Sequence, residues 1–182
     1  MISRLQPKNI DILSLTTIAT PHRGSAFADY MFDQIGPKHV PRVYRTLESV
    51  GFQTGAFGQL TRAYMRDEFN PRTPDQLGVR YYSYGASLDP TLWSVFKFSH
   101  DVISRLEESE NDGLVSVESS RWGEYKGTLV GVSHLDLINW TNRIKSLVWR
   151  SMGWEVNFNA LALYLDIAGK SIPSSIEGLR KC

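Results

Sequence analysis

The run Ile10-Asp11-Ile12-Leu13-Ser14-Leu15-Thr16-Thr17-Ile18-Ala19 constrains this chain more than any other feature. It is rich in β-branched and apolar residues, which predicts a strand buried on both faces, the type found inside parallel sheets. Pro21 and Gly24 end it and open a loop. Upstream, residues 1–5 read as the tail of a helix stopped near Pro7.

Beyond the loop the period changes. Val43, Leu47 and Val50 recur at helical spacing between Arg42, Arg45 and Glu48. Leu60, Tyr64 and Phe69 predict another helix, closed by Asn70-Pro71. A second strand follows over 79–84, then a long connection over 88–110 with helical character around Val102 to Leu106. A third strand is expected over 128–132, after which His134 starts a helix reaching Leu147. A last helix over 158–168 is capped by Gly169, and residues 170–182 form a loose tail. Strands alternating with helices predict an α/β architecture. Three strands are few for such a sheet, so exposed edges and an uncovered face are expected.

Composition removes several function classes. With 20 Lys and Arg against 19 Asp and Glu, and no dense basic run, nothing points to nucleic acid. Hydrophobic residues at 42% and charged ones at 21% suit a globular domain. No apolar run approaches the roughly 20 residues that a membrane-spanning helix needs. The one cysteine, Cys182, fits a reducing compartment.

In open α/β sheets functional groups gather just past the C-terminal ends of strands. Three segments are expected there: Thr20-Pro21-His22-Arg23-Gly24-Ser25, then Asn111-Asp112-Gly113-Leu114-Val115, then Ser133-His134-Leu135-Asp136. A carboxylate followed by a histidine, each on such a loop, is the back half of a nucleophile, acid, base order. An imidazole near pKa ~6.5 can take the proton of a hydroxyl, and a carboxylate fixes its tautomer. Taken singly, each segment has a plainer reading. Asn-Asp-Gly is usually a turn, and Ser133 or Asp136 can simply cap the helix. His39 and His100 read as surface or loop residues, and His22 as a packed or loop-bonded one.

The combination is more specific. Thr17-Ile18-Ala19-Thr20-Pro21-His22-Arg23-Gly24-Ser25, continued by Ala28-Asp29-Tyr30, resembles the segment after the sixth strand in bacterial true lipases and their fungal relatives. Leu60-Thr61 with Phe69-Asn70, and Tyr81-Tyr82-Ser83-Tyr84, follow the same family. Glu110-Asn111-Asp112-Gly113-Leu114-Val115 is similar to its catalytic-acid segment and His134-Leu135-Asp136 to its catalytic-histidine segment, 22 residues apart. The pattern is most similar to fungal triacylglycerol lipases of the yeast mitochondrial type, over residues 1 to about 145.

The resemblance implies a partial α/β-hydrolase fold: the C-terminal strands of the parallel sheet and a helical cap or lid over 27–69, without the N-terminal strands. Residues 1–169 would make up this domain. It also implies a serine ester hydrolase in which Asp112 orients His134, acting on a lipid or acyl ester and touching a lipid surface peripherally. A cytoplasmic or mitochondrial location would follow. Phe27, Phe32, Val43, Phe52 and Phe57 would line the acyl pocket, although for any single one of them ordinary core packing is the better reading. No Gly-x-Ser-x-Gly occurs in the 182 residues; Gly131-Val132-Ser133-His134-Leu135 and Gly85-Ala86-Ser87-Leu88-Asp89 each lack the second glycine. The serine is therefore expected upstream of Met1, and the chain alone is expected to be inactive. No cofactor is expected. Bacterial relatives bind calcium near the histidine, and Asp136 matches one ligand. Trp140 stands where a further ligand belongs and cannot coordinate a hard cation, so no metal is expected and Asp136 should serve the helix start. Two alternatives stay open: a non-catalytic chain that pairs with another polypeptide, and a thioesterase or deacylase of the same fold.

Overall fold

The computed structural model describes residues 2–35, 58–90, 94, 96–107, 109–138 and 158–170. Elements run in the order α1 (Ile2–Leu5), β1 (Ser14–Ile18), α2 (Ala26–Ile35), α3 (Arg62–Tyr64), a π-helical turn (Met65–Phe69) and α4 (Asn70–Arg72). There follow β2 (Arg80–Ser87), α5 (Lys97–Glu107), α6 (Val117–Ser120), β3 (Glu124–Val130), α7 (His134–Leu137) and α8 (Ala160–Lys170). The predicted helix around Val43, Leu47 and Val50, together with Phe52, Phe57, His39, Trp140 and the tail beyond Lys170, lies outside the described residues.

The three strands form one parallel sheet in the order β1-β2-β3. Ser14 to Ile18 pair in step with Arg80 to Tyr84. Between β2 and β3 the register slips once: Ser83 faces Tyr125 and Tyr84 faces Gly127, leaving Lys126 as a bulged extra residue. Its ammonium lies 4.5 Å from the centre of the Tyr82 ring.

β1 departs from the expectation of a strand buried on both faces. Leu13 is 48% and Leu15 37% exposed, because β1 is an edge of the described sheet and only one side is paired. On the other edge Val130 is 80% exposed. β2 begins one residue later and ends three residues later than predicted, since Gly85, Ala86 and Ser87 continue the ladder. β3 sits earlier than predicted, at Glu124–Val130, with Val132 in the turn that follows.

The interior is built largely from small residues. Ala19, Ala86, Val132 and Leu137 form an apolar cluster at the C-terminal end of the sheet, with Ile18, Leu129 and Phe158 packed against it. On the opposite face α6 crosses close to β2, where a Cβ at Gly85 would come within 2.5 Å of the Tyr125 hydroxyl. Ser83 locks that crossing: its hydroxyl donates to the Trp122 carbonyl and accepts from the Trp122 amide, at 2.7 and 2.9 Å. The largest fully buried side chains include Asn111, Asp112, Ser83, Ser116 and Ser120. Each has a hydrogen-bond partner, as burial of a polar group requires.

The helix expected to close at Asn70-Pro71 instead runs through them to Arg72. Pro71 would deprive an α-helix of an N–H and press on the carbonyl four residues back. The chain widens into a π turn just before it, with the Asn70 N–H bonded to the Met65 carbonyl five residues back. The start of this helical stretch docks on α2. Asp29 accepts from the Arg62 amide at 3.1 Å and pairs with its guanidinium at 2.5 Å, and Glu107 of α5 lies 3.7 Å from the same guanidinium. Gly24 makes that contact possible, since at its φ of +85° a Cβ would lie 2.6 Å from the Arg62 Cα. At the C-terminus α8 runs to Lys170, so Gly169 lies within the helix and does not end it.

Candidate active site

α5 delivers the chain to a tight turn in which Asn111 bridges to Ser116. Asp112 is completely buried in that turn. Its Oδ1 accepts from the amides of Leu114 and Val115, at 2.9 and 2.8 Å, as a short acidic side chain does when it closes a turn on itself. Gly113 follows with φ +98°, and a Cβ there would fall 2.6 Å from the side chain of Phe96. The Ser25 hydroxyl donates to the Leu114 carbonyl at 2.7 Å and joins the turn to the start of α2.

From the other side, β3 leads through Gly131 to Val132, whose amide is held by the Ser87 carbonyl at the end of β2, 3.0 Å away. Ser133 is the N-cap of α7 in a full capping box: its hydroxyl accepts from the Asp136 amide, and the Asp136 side chain accepts from the Ser133 amide. The Asp136 carboxylate is thus engaged at the helix start. His134 is the first residue of α7. Its backbone amide donates to the Asp112 carbonyl at 3.1 Å, and its Nδ1 lies 2.7 Å from Asp112 Oδ2.

The two residues singled out as acid and base therefore meet at hydrogen-bond distance, fixed by backbone and side chain together. With Asp112 as carboxylate, Nδ1 carries the proton and donates, which leaves Nε2 for a reacting group. Burial pushes the His134 pKa down, but the hydrogen bond and charge of Asp112 outweigh it and hold the group above its ordinary value. The ring is 29% exposed.

The other predicted residues fall elsewhere. His22 is not brought to this pair. Its ring stacks on Trp122 with centres 5.2 Å apart, and its Nε2 is 2.9 Å from the Thr17 hydroxyl. Burial lowers its pKa to about 4, against a smaller upward pull from Asp75. That is a packed, loop-bonded histidine, as expected. His100, expected on the surface or in a loop, lies on α5 with its side chain only 18% exposed. Two cavities flank these features. One of about 520 Å³ lies among the ends of β2 and β3, α5 and the residues before Asn111, lined by Ser87, Asp89, His100, Ser104, Glu110 and Gly131. The other, about 310 Å³, is lined by Leu15, His22, Phe69, Asp75, Tyr81 and Trp122. Among the described residues no group of three or more His, Cys, Asp or Glu could hold a metal ion.

Over 146 residues, 80% of its length, the chain is 44% identical to triacylglycerol lipase 2 of Saccharomyces cerevisiae and spans 43% of that protein. The chain thus matches less than half the length of this relative. The crystal structure of a Bacillus licheniformis lipase in its mature form matches it with a TM-score of 0.52 at 21% identity, over 73% of this chain and 53% of that one. A metagenomic carboxyl esterase matches with a TM-score of 0.52 at 24% identity, over 68% of this chain and 37% of that one. The chain carries part of an α/β-hydrolase fold. Its relatives are lipases and esterases of the α/β-hydrolase type. No family model matches the sequence. Sequence reasoning missed α6 and Phe96, and it quoted Asn111 and Ser25 only as members of candidate segments, without their part in holding the Asp112 turn. None belongs to a periodic apolar pattern, and each acts through contacts made only in the folded chain.

Proposed function

We propose that this chain supplies the acid and base of a serine ester hydrolase of the triacylglycerol lipase class. The observation that carries the reading is the 2.7 Å hydrogen bond between a fully buried Asp112 and the part-exposed His134. In the reaction His134 Nε2 takes the proton of a serine hydroxyl as that oxygen attacks the ester carbonyl. Asp112 keeps Nδ1 protonated and stabilises the imidazolium that forms; the same proton then passes to the departing alcohol. Water repeats the cycle to release the acid. The serine would sit on a Gly-x-Ser-x-Gly turn, a motif absent from these 182 residues. It and its oxyanion donors would come from polypeptide outside them.

α2, with residues 58–69, would form part of a cap over the acyl chain. Phe27 and Tyr30 pack edge-on against Phe98 of α5, a wall of the kind an apolar substrate needs. A lipid or acyl ester is the substrate class in this reading, met at a lipid surface from one side. Among the described residues no helix is long and apolar enough to cross a membrane.

The test compares the 182-residue chain with the product of its coding sequence read upstream of Met1 to the first Gly-x-Ser-x-Gly. Both are assayed on short- and long-chain esters and on thioesters. Ester turnover confined to the longer product, and abolished by His134→Ala, is the expected result. Turnover by the 182-residue chain that depends on His134 would overturn the external serine, and preference for thioesters would overturn the lipase class.

A further inference from the structure

Asn111 is as deeply buried as its neighbour Asp112, yet its side-chain hydrogen bonds go to neither Asp112 nor His134. Its carboxamide is fully used. Oδ1 accepts from the Gly113 amide at 3.0 Å; a backbone N–H can only donate, so this contact fixes which end of the amide is oxygen. Nδ2 then faces three acceptors: the Ser104 hydroxyl at 3.0 Å, the His100 carbonyl at 3.3 Å and the Ser109 carbonyl at 3.4 Å. The Asn111 carbonyl in turn accepts from the Leu88 amide, 2.9 Å away, just past β2.

We propose that Asn111 is a positioning residue, holding the Asp112 turn against α5 so that Asp112 Oδ2 stays aimed at His134 Nδ1. This rests on the reading of Asp112 and His134 as acid and base. Within the turn, the amides of Leu114 and Val115 orient the carboxylate relative to its own backbone. They do not fix where the turn lies relative to α7. The His134 amide's bond to the Asp112 carbonyl joins the turn to α7 directly, and the turn is braced from behind by the Asn111 carboxamide, which ties it to His100 and Ser104 of α5, and by the Leu88 and Ser25 contacts. The residue type follows from the partners. Only a carboxamide of this length offers an acceptor to Gly113 and donors to Ser104 and His100 at once. An aspartate would turn oxygen toward the His100 and Ser109 carbonyls, which can only accept, and set a second carboxylate beside Asp112. Small displacements of such a pair matter, because a catalytic group must be held to within roughly 0.5 Å of its productive position.

The experiment is proton NMR on the 182-residue chain, following the downfield Nδ1–H resonance of His134 and the titration of its ring protons. Asp112→Asn is the reference: it should remove the downfield resonance and drop the His134 midpoint to about 6.5 or below, the unperturbed value. Asn111→Ala should broaden or abolish the same resonance and move the midpoint toward about 6.5, with amide signals elsewhere unchanged. Ser104→Ala, which removes one acceptor, should shift both in the same direction by less. Ser104→Thr, which keeps the hydroxyl, should restore them. If Asn111→Ala fails to fold, the Ser104 pair decides. A clear effect of Asp112→Asn, with Asn111→Ala and Ser104→Ala both at wild-type values, would overturn the positioning role and leave the acid–base reading standing. No effect of Asp112→Asn would overturn both.

Discussion

His22 and His134 occupy equivalent places in the two outer strands' loops, each four residues past the last residue of its strand. Both are partly buried, and burial alone pushes the pKa of each downward. They end on opposite sides of the ordinary value. His22 finds a hydroxyl, an indole face and a distant Asp75 whose Oδ1 is already bonded to the Trp122 ring nitrogen. It drops to about 4 and stays neutral. His134 finds a carboxylate with no exposure, whose hydrogen bond and charge outweigh the burial, and is raised. Position on the fold makes a histidine a candidate; a buried carboxylate partner is what would fit it to act as a base.

The widest separation between the two loops is expected in catalysis. In a longer product that carries the proposed nucleophile, Asp112→Asn should lower kcat by about 10⁴-fold, the loss expected when a triad carboxylate no longer fixes the imidazole tautomer. His22→Asn should leave kcat within a few-fold. Steady-state assays of both variants on one ester measure the contrast, and equal losses would erase it.

Next in size is a stability effect at the turn that holds the carboxylate. Gly113→Ala adds a Cβ at φ +98° that would meet Phe96 at 2.6 Å. Backbone strain and overpacking each cost about 1–3 kcal/mol, so roughly 2–4 kcal/mol of destabilisation is expected in urea unfolding. A loss under ~1 kcal/mol would mean that the turn is loose and Asp112 poorly held.

The sequence revealed these two loops unequally. Asp112 and His134 were legible because the local pattern around each, Asn-Asp-Gly and Ser-His-Leu-Asp, resembles a family's acid and histidine segments, and because each follows a predicted strand, His134 directly and Asp112 after a long connection. The α/β class was legible from the apolar run at 10–19 and the helical spacing after it. What stayed hidden depends on partners distant in the chain. The run at 10–19 does not encode which of its own residues lie on the uncovered face that a three-stranded sheet predicts, here Leu13 and Leu15. α6 is only four residues, held by Ser116 as N-cap and by packing on Gly85, too short for any period to show. Pro71 was read as a stop because the π turn that accommodates it has no sequence signature. The role of Asn111 rests on Ser104 and His100, seven and eleven residues earlier on α5.

Opposite pH dependence should follow from the two histidines. For His22 the folded state binds its proton less well than the unfolded one, so its contribution is present above about pH 6.5 and is lost as pH falls toward about 4. For His134 the folded state binds the proton better, so its contribution is full below about pH 6.5 and is lost as pH rises through its higher folded pKa. Subtracting thermal melts of His22→Asn and of His134→Asn from wild type across about pH 4 to 8 should give curves of opposite slope. Because both rings keep some contact with water, each curve should span no more than about 1–2 kcal/mol after screening. Parallel slopes would contradict the assignment of partners.

The smallest effect is expected at Asn70, whose Nδ2 donates to the His22 carbonyl at 2.8 Å and fastens that loop to α4. Asn70→Ala removes one part-buried hydrogen bond, a loss of about 0.5–1.5 kcal/mol. Alanine is also the better helix former at that position, by up to about 0.7 kcal/mol, so the net change should be under ~1 kcal/mol. Stability alone is thus a poor readout here, and titration is the sharper one. Releasing the loop lets water reach the His22 ring beside Trp122, which weakens the desolvation that lowers its pKa. Its NMR midpoint should move up from about 4 toward the ordinary value, while the His134 midpoint, set by Asp112 on the other loop, should not move. A shift of both midpoints together would mean that the two loops are coupled through the sheet and that the contrast between them is not local. A shift of neither would mean that Trp122 stacking, rather than the loop's closure, keeps water from His22.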